Sequence, residues 1–201
     1  MTARIRVVQR RPEREDWDDG RLIQACRDGD QEAWSVLIQR YRRLIYSIPA
    51  RYGAQPADAA DIFQAVCLEL YAELPRLRKV QSLRSWLISV TAHQAFHWKQ
   101  RVLKRATREA NEIEPDTARA VDPVPPEIIE AAEREQILRD AVRGLPPRCR
   151  EMIRLLFYED PPLPYAEIAR RLGLATGSIG FIRGRCLKKL ERVLSTAGFG
   201  T

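Results

Sequence analysis

A chain carrying PYAEIARRLGLATGSIGFIRGRCLKKLERVL at residues 164–194 has few folds open to it. Ile168, Ala169 and Leu172 recur at one-turn spacing, which predicts a short helix over Tyr165–Leu172, and Gly173 follows where a left-handed residue would end it. Thr176 or Ser178 then restarts the chain as an N-cap. Ile179, Ile182, Cys186, Leu187, Leu190 and Leu194 make the buried stripe of a longer second helix. Two helices joined so tightly form a helix-turn-helix, whose second helix can lie in the major groove of DNA.

The outer face of that second helix carries Ser178, Phe181, Arg185 and Lys188, with Arg183 beside them as a further candidate for DNA contact. Gly177, Gly180 and Gly184 are interspersed. Each glycine costs a helix interior about 1 kcal/mol relative to Ala, so three of them predict that DNA or a neighbouring helix approaches the backbone closely.

The 201 residues suffice for one large domain or two small ones, and the net charge of +7 points to a polyanionic partner. The longest apolar runs are too short to span a bilayer and the N-terminus has no apolar signal region, so no membrane insertion and a cytoplasmic location are expected. Cys26, Cys67, Cys149 and Cys186 lack CxxC spacing and fall at apolar phases of helices. Buried reduced thiols are expected of them, with neither zinc nor a disulfide. His93 and His97 share a helix face with no third ligand in view, so neither a metal nor a cofactor is expected.

Residues 1–20 are rich in Arg, Glu and Asp without an apolar period and are expected to form a disordered arm. A helical pattern begins at Leu22 and breaks at Asp28-Gly29-Asp30. Asp30 caps a second helix with Ala33, Leu37, Tyr41, Leu44, Ile45 and Ile48 inward, and a third runs over Asp58–Leu74 with Ile62, Val66, Leu70 and Leu74 inward. After the basic loop Arg76 to Gln81, Ser82 caps a long helix reaching towards Arg105. Its Trp86, Phe96 and Trp98 are interleaved with cations, as single-stranded nucleic acid requires, although Trp86 suits a core equally well. Residues 107–126 hold several prolines and acids without a stripe and read as an extended acidic linker. Helices over Glu127–Val142 and Pro147–Tyr158 then lead into the helix-turn-helix, and 196–201 are a short tail. The expected fold is all-α, two small helical domains at 21–106 and 127–195.

The order of these parts resembles the bacterial sigma-70 family, and within it the compact extracytoplasmic-function (ECF) group that keeps only sigma regions 2 and 4. Gly29-Asp30-Gln31-Glu32-Ala33-Trp34 is similar to the family's GDxxAF/W opening, Asp61-Ile62-Phe63-Gln64 to its DLxQ segment, and Ser82-Leu83-Arg84-Ser85-Trp86-Leu87 to SFRAWL. Leu145-Pro146-Pro147-Arg148 is similar to LPPRxR, Tyr165-Ala166-Glu167-Ile168-Ala169 to YxEIA, and Gly177-Ser178-Ile179-Gly180 to the start of the recognition helix. The resemblance implies a non-catalytic sigma factor that recruits core RNA polymerase to promoters. Asp58, Asp61 and Gln64 would dock on the clamp helices of the polymerase large subunit. Arg76, Arg78, Lys79, Ser82, Arg84, Trp86, His93 and Lys99 would engage the melted minus-10 element, and the recognition helix would read the minus-35 element. The linker would pass through the polymerase channels, and an anti-sigma factor is a common partner in this group.

Three departures from the family pattern stand out. Ala65 replaces an acid, His93 and His97 replace Asn and Asp, and Gly180, Phe181 and Gly184 replace bulkier polar residues. A promoter consensus is therefore not carried over. Read without the resemblance, the residues also admit a dimeric helix-turn-helix regulator that binds an operator without polymerase. They offer no two-carboxylate metal cluster, activated nucleophile or phosphate-cradling glycine loop for an enzyme, and Asp58 and Asp61, near each other on a helix, fit an ordinary amphipathic surface.

Overall fold

The computed structural model describes residues 14–77, 83–109 and 125–199. Among them every regular element is helical: α1 (Asp19–Arg27), α2 (Gln31–Arg51), α3 (Pro56–Glu73), α4 (Leu83–Glu109), α5 (Pro126–Arg143), α6 (Pro147–Phe157), α7 (Tyr165–Leu172) and α8 (Ile179–Thr196). The chain divides into two compact units, Met1–Ala132 and Glu133–Thr201. The all-α, two-domain architecture expected from the sequence is what is found.

Local chemistry sets the helix ends of the first unit. Asp18 caps α1 by accepting the Arg21 amide at 2.8 Å. Asp30 caps α2 by accepting the amides of Glu32 and Ala33, each at 3.0 Å. The Ala33 N–H, followed by the guanidinium of Arg14, holds the Asp30 carboxyl below its ordinary range. Gly29, with φ of 85°, makes the reversal between α1 and α2. Pro56 occupies the first turn of α3, where a missing N–H costs nothing.

The predicted stripes pack as one core. Ala33, Leu37, Tyr41, Leu44, Ile45 and Ile48 from α2 meet Ile62, Val66 and Leu70 from α3 and Leu83 and Leu87 from α4. An ion pair lies at the edge of this core. Arg40, its side chain only 3% exposed, donates to Asp19 at 2.6 Å and to the carbonyls of Trp17 and Glu15 at 2.7 and 3.0 Å. Asp19 also accepts from the Tyr41 hydroxyl.

Order therefore starts earlier than expected. The arm assigned to residues 1–20 is structured from Arg14, where a 3-10 turn leads into Trp17, which packs on the core between the guanidiniums of Arg14 and Arg21. The charge of this stretch concealed its partners, because Arg40 lies more than twenty residues downstream. Residues 1–13 and most of the predicted linker lie outside the described residues. The first unit also reaches further than residue 106: Ile128, Ile129 and Ala132 belong to its core, so the division falls inside α5 and not before Glu127.

The second unit has two small apolar clusters. Met152, Leu155, Ile168, Ala169 and Ile179 form one; Leu145, Cys149, Ile153 and Cys186 form the other. Gly173 takes φ of 61° after α7, and the Leu174 amide returns to the Ala169 carbonyl at 2.8 Å, closing the helix as predicted.

Two expectations fail in this unit. Neither Thr176 nor Ser178 caps α8 with its side chain: residues Thr176–Ser178 form a 3-10 turn, and the Ser178 hydroxyl donates backwards to the Ala175 carbonyl at 2.7 Å. Cys149 and Cys186 are joined in a disulfide with Cα atoms 5.3 Å apart, where reduced thiols were expected. Spacing along the chain could not reveal it, since α6 and α8 bring together residues 37 positions apart.

Candidate nucleic-acid and polymerase interfaces

Helical register on α8 sorts the candidate residues. Ile179, Cys186 and Leu190 face inward, and Phe181, Arg185 and Lys188 fall on the opposite side, all exposed. Phe181 is 70% exposed, and the Arg185 guanidinium lies 5.7 Å from its ring centroid. Arg192, one turn beyond Lys188, extends the same cationic stripe and was not among the expected residues. The interval of eleven from Phe181, three helical turns, was the signal that could have found it.

Arg183 departs from this face. Its Nη1 donates to the Tyr165 hydroxyl at 2.8 Å, which ties α8 to the start of α7. In α7, Glu167 accepts from Arg170 and Arg171 at 2.6 to 2.8 Å, and these two guanidiniums push its carboxyl down to about 2. Among the described residues no neighbouring helix explains the glycines. A Cβ added at Gly177, Gly180 or Gly184 would meet nothing within 4 Å, which leaves the backbone open to a partner there.

Along α4 the expected minus-10 residues separate. Trp86 and His93, two turns apart, share a face with exposed His97 and Lys104, and the Nε2 atoms of His93 and His97 are 2.8 Å apart. A shallow cleft of about 330 Å³ beside them is lined by Gln94, His97, Gln100, Arg101 and Lys104. Trp86 is partly buried against the core, so its ring serves both packing and surface.

Arg84 falls instead in register with buried Leu87 and Thr91, and its Nε is buried. Lys99 points to the end of α2, with Nζ 3.4 Å from the Tyr52 carbonyl, where a cation suits the negative helix terminus. Arg76 is exposed and paired with Glu73 at 3.0 Å. Arg78, Lys79 and Ser82 lie outside the described residues.

On α3, Asp61 and Gln64 are exposed and share one strip with Leu68 and Tyr71, at 71% and 70% exposure. Tyr71 meets Trp34 of α2 edge to face at 5.8 Å. Asp58 is half-buried on the flank of this strip. Leu68 and Tyr71 escaped the sequence reading because an apolar side chain on a helix is ordinarily assigned to the core, while their spacing of seven and ten from Asp61 places them with it.

Among the described residues no group of three or more His, Cys, Asp or Glu side chains gathers as metal ligands, and no helix is long and apolar enough to cross a membrane. Two family models match the chain. The model for Sigma-70 region 2 covers residues 37–108, and that for Sigma-70, region 4 covers 135–190, together more than half of the sequence. The chain thus belongs to the sigma-70 family, the promoter-recognition subunits of bacterial RNA polymerase, which are not enzymes.

Its place within the family is the ECF group. It is similar to the ECF RNA polymerase sigma-E factor of Escherichia coli K12, with 25% identity over 178 residues covering 86% of this chain and 90% of that protein. The sigma-E factor of Haemophilus influenzae is 24% identical over 182 residues, covering 87% and 93%. The protein is accordingly a sigma factor that directs promoter-specific transcription together with core RNA polymerase.

Proposed function

We propose that the strip Asp61, Gln64, Leu68 and Tyr71 on α3, with Asp58 at its flank, is the surface that docks on the clamp helices of the polymerase large subunit. The supporting observation is an exposed Leu and Tyr in line with two polar side chains, inside the segment matched by region 2. An apolar centre beside polar groups is what a protein interface requires, and it has no use on a solvated helix.

Division of labour follows. The face of α4 bearing Trp86, His93 and His97, together with Arg76, Arg78 and Lys79 of the basic segment that precedes it in the sequence, receives extruded minus-10 bases. Unstacking a base costs a few kcal/mol, which stacking and phosphate contacts must return. Phe181, Arg185, Lys188 and Arg192 on α8 read the minus-35 duplex: a bidentate Arg to guanine discriminates by about 1 to 3 kcal/mol, and Phe181 suits a thymine methyl. The acidic linker, whose carboxylates repel DNA, runs through basic channels of the polymerase. Catalysis belongs to the polymerase, and the protein works beside it in the cytoplasm, where an anti-sigma factor covering the α3 strip would silence it.

The test is co-purification with core polymerase, using wild type and Gln64→Ala. The proposal expects a stable complex that the substitution weakens. Tight binding of the free protein to duplex operators as a dimer, with no association with core, would favour the dimeric regulator instead.

A further inference from the structure

Four features bear on Cys149 and Cys186. They are 7% and 1% exposed, they lie in the cluster with Leu145 and Ile153, and their disulfide joins α6 to the inner face of α8, directly beside Arg185. Cys149 sits in the first turn of α6, where its amide and that of Arg150 both donate to the Pro146 carbonyl, at 2.8 and 3.0 Å. The other two cysteines, Cys26 and Cys67, are half-buried and lie outside the disulfide. Burial pushes the Cys26 thiol up to about 11 and raises that of Cys67. A protein that works with RNA polymerase works where thiols are kept reduced, and a disulfide there is usually transient and redox-sensing.

We propose that Cys149 and Cys186 form a reversible dithiol–disulfide site, closed by hydrogen peroxide and reopened by a dithiol, which sets the stability of the helix-turn-helix. On closing, the Cys149 thiolate attacks the peroxide, the O–O bond breaks, and Cys149 becomes a sulfenic acid while one oxygen leaves as hydroxide and is protonated to water. The Cys186 sulfur then attacks the Cys149 sulfur; the S–S bond forms and the second oxygen leaves as water. Two thiols are oxidised and one peroxide is reduced to two waters. On reopening, a dithiol is oxidised to its cyclic disulfide and returns two hydrogens. Access comes through local opening, which a unit built on two small clusters undergoes at low cost.

The disulfide closes a loop with a sequence separation of 37, spanning α7, the turn and the start of α8, so it restrains these parts of the reading unit when unfolded. Reduction leaves two small apolar side chains in contact, so the fold persists with a lower melting temperature. The consequence for transcription rests on the minus-35 assignment of α8 proposed above; the thiol chemistry and the melting shift do not.

The experiment uses the full chain, treated with hydrogen peroxide or with dithiothreitol, and the variant Cys149→Ala. Thiol titration with peptide mapping should find two free thiols after peroxide, at Cys26 and Cys67, and four after dithiothreitol. Oxidised wild type should melt about 10 °C or more above reduced wild type, and Cys149→Ala should not respond. At a temperature between the two transitions, polymerase holoenzyme should protect the minus-35 element only when oxidised. Four free thiols after peroxide, a pairing that involves Cys26 or Cys67, or equal melting of the two wild-type forms would overturn the proposal. A melting shift without any minus-35 protection in either form would leave the redox site standing and remove the assignment of α8.

Discussion

Arg183 Nη1 and the Tyr165 hydroxyl lie 2.8 Å apart and join the two helices of the helix-turn-helix, so Arg183 acts within the unit while Arg185, two residues on, faces outward. Arg183→Ala and Tyr165→Phe should each lower stability by about 0.5 to 1 kcal/mol, as an exposed hydrogen bond warrants, and weaken binding to all minus-35 variants alike. Arg185→Ala should leave stability within about 0.5 kcal/mol and flatten the ranking of minus-35 variants by about 1 to 3 kcal/mol at one base pair. Urea melts with a promoter-variant binding series separate the two.

Gly180 and Gly184 lie within α8 with open space where a Cβ would sit. Substitution by Ala should stabilise the unit by about 0.5 to 1 kcal/mol per site. If DNA comes against the backbone there, the same variants should bind the minus-35 duplex more weakly despite folding better. Thermal melts paired with DNA binding measure both, and a gain in stability with unchanged binding would mean the glycines serve no close approach.

Much of this arrangement was legible in the sequence, and the failures have a common cause. The stripes of α2 and α3, the Asp30 cap and Gly173 are local signals, written within a few residues of the structure they specify. The partners that Lys99 and Arg183 have within the chain were not legible, because a cation looks the same whether it meets phosphate, the Tyr52 carbonyl or the Tyr165 hydroxyl. The Cys149–Cys186 disulfide and the Arg40–Asp19 pair arise from distant segments, which no periodicity records.

Leu68 is 71% exposed, so charging it should not disturb the core. Leu68→Glu should change unfolding free energy by less than about 0.5 kcal/mol, and it should lower affinity for core polymerase at least about tenfold if the strip is buried on docking. Denaturant melts and binding to labelled core check the two halves independently.

Arg40 is the opposite case, a charge 97% withdrawn from water beside Asp19. Arg40→Ala leaves that carboxylate with the Tyr41 hydroxyl but without its guanidinium, takes a donor from the carbonyls of Trp17 and Glu15, and should destabilise the first unit by about 3 kcal/mol. Calorimetry on the full chain should show the loss in the first unit's transition only.

Promoter-directed initiation is measured most directly by transcription in vitro: purified core polymerase on a supercoiled template library, with and without the protein, mapping the RNA 5′ ends. Specific starts should appear only when the protein is added, preceded by two elements at one fixed spacing, and should vanish with Leu68→Glu. Start sites that are the same with and without the protein would contradict its role as a sigma factor.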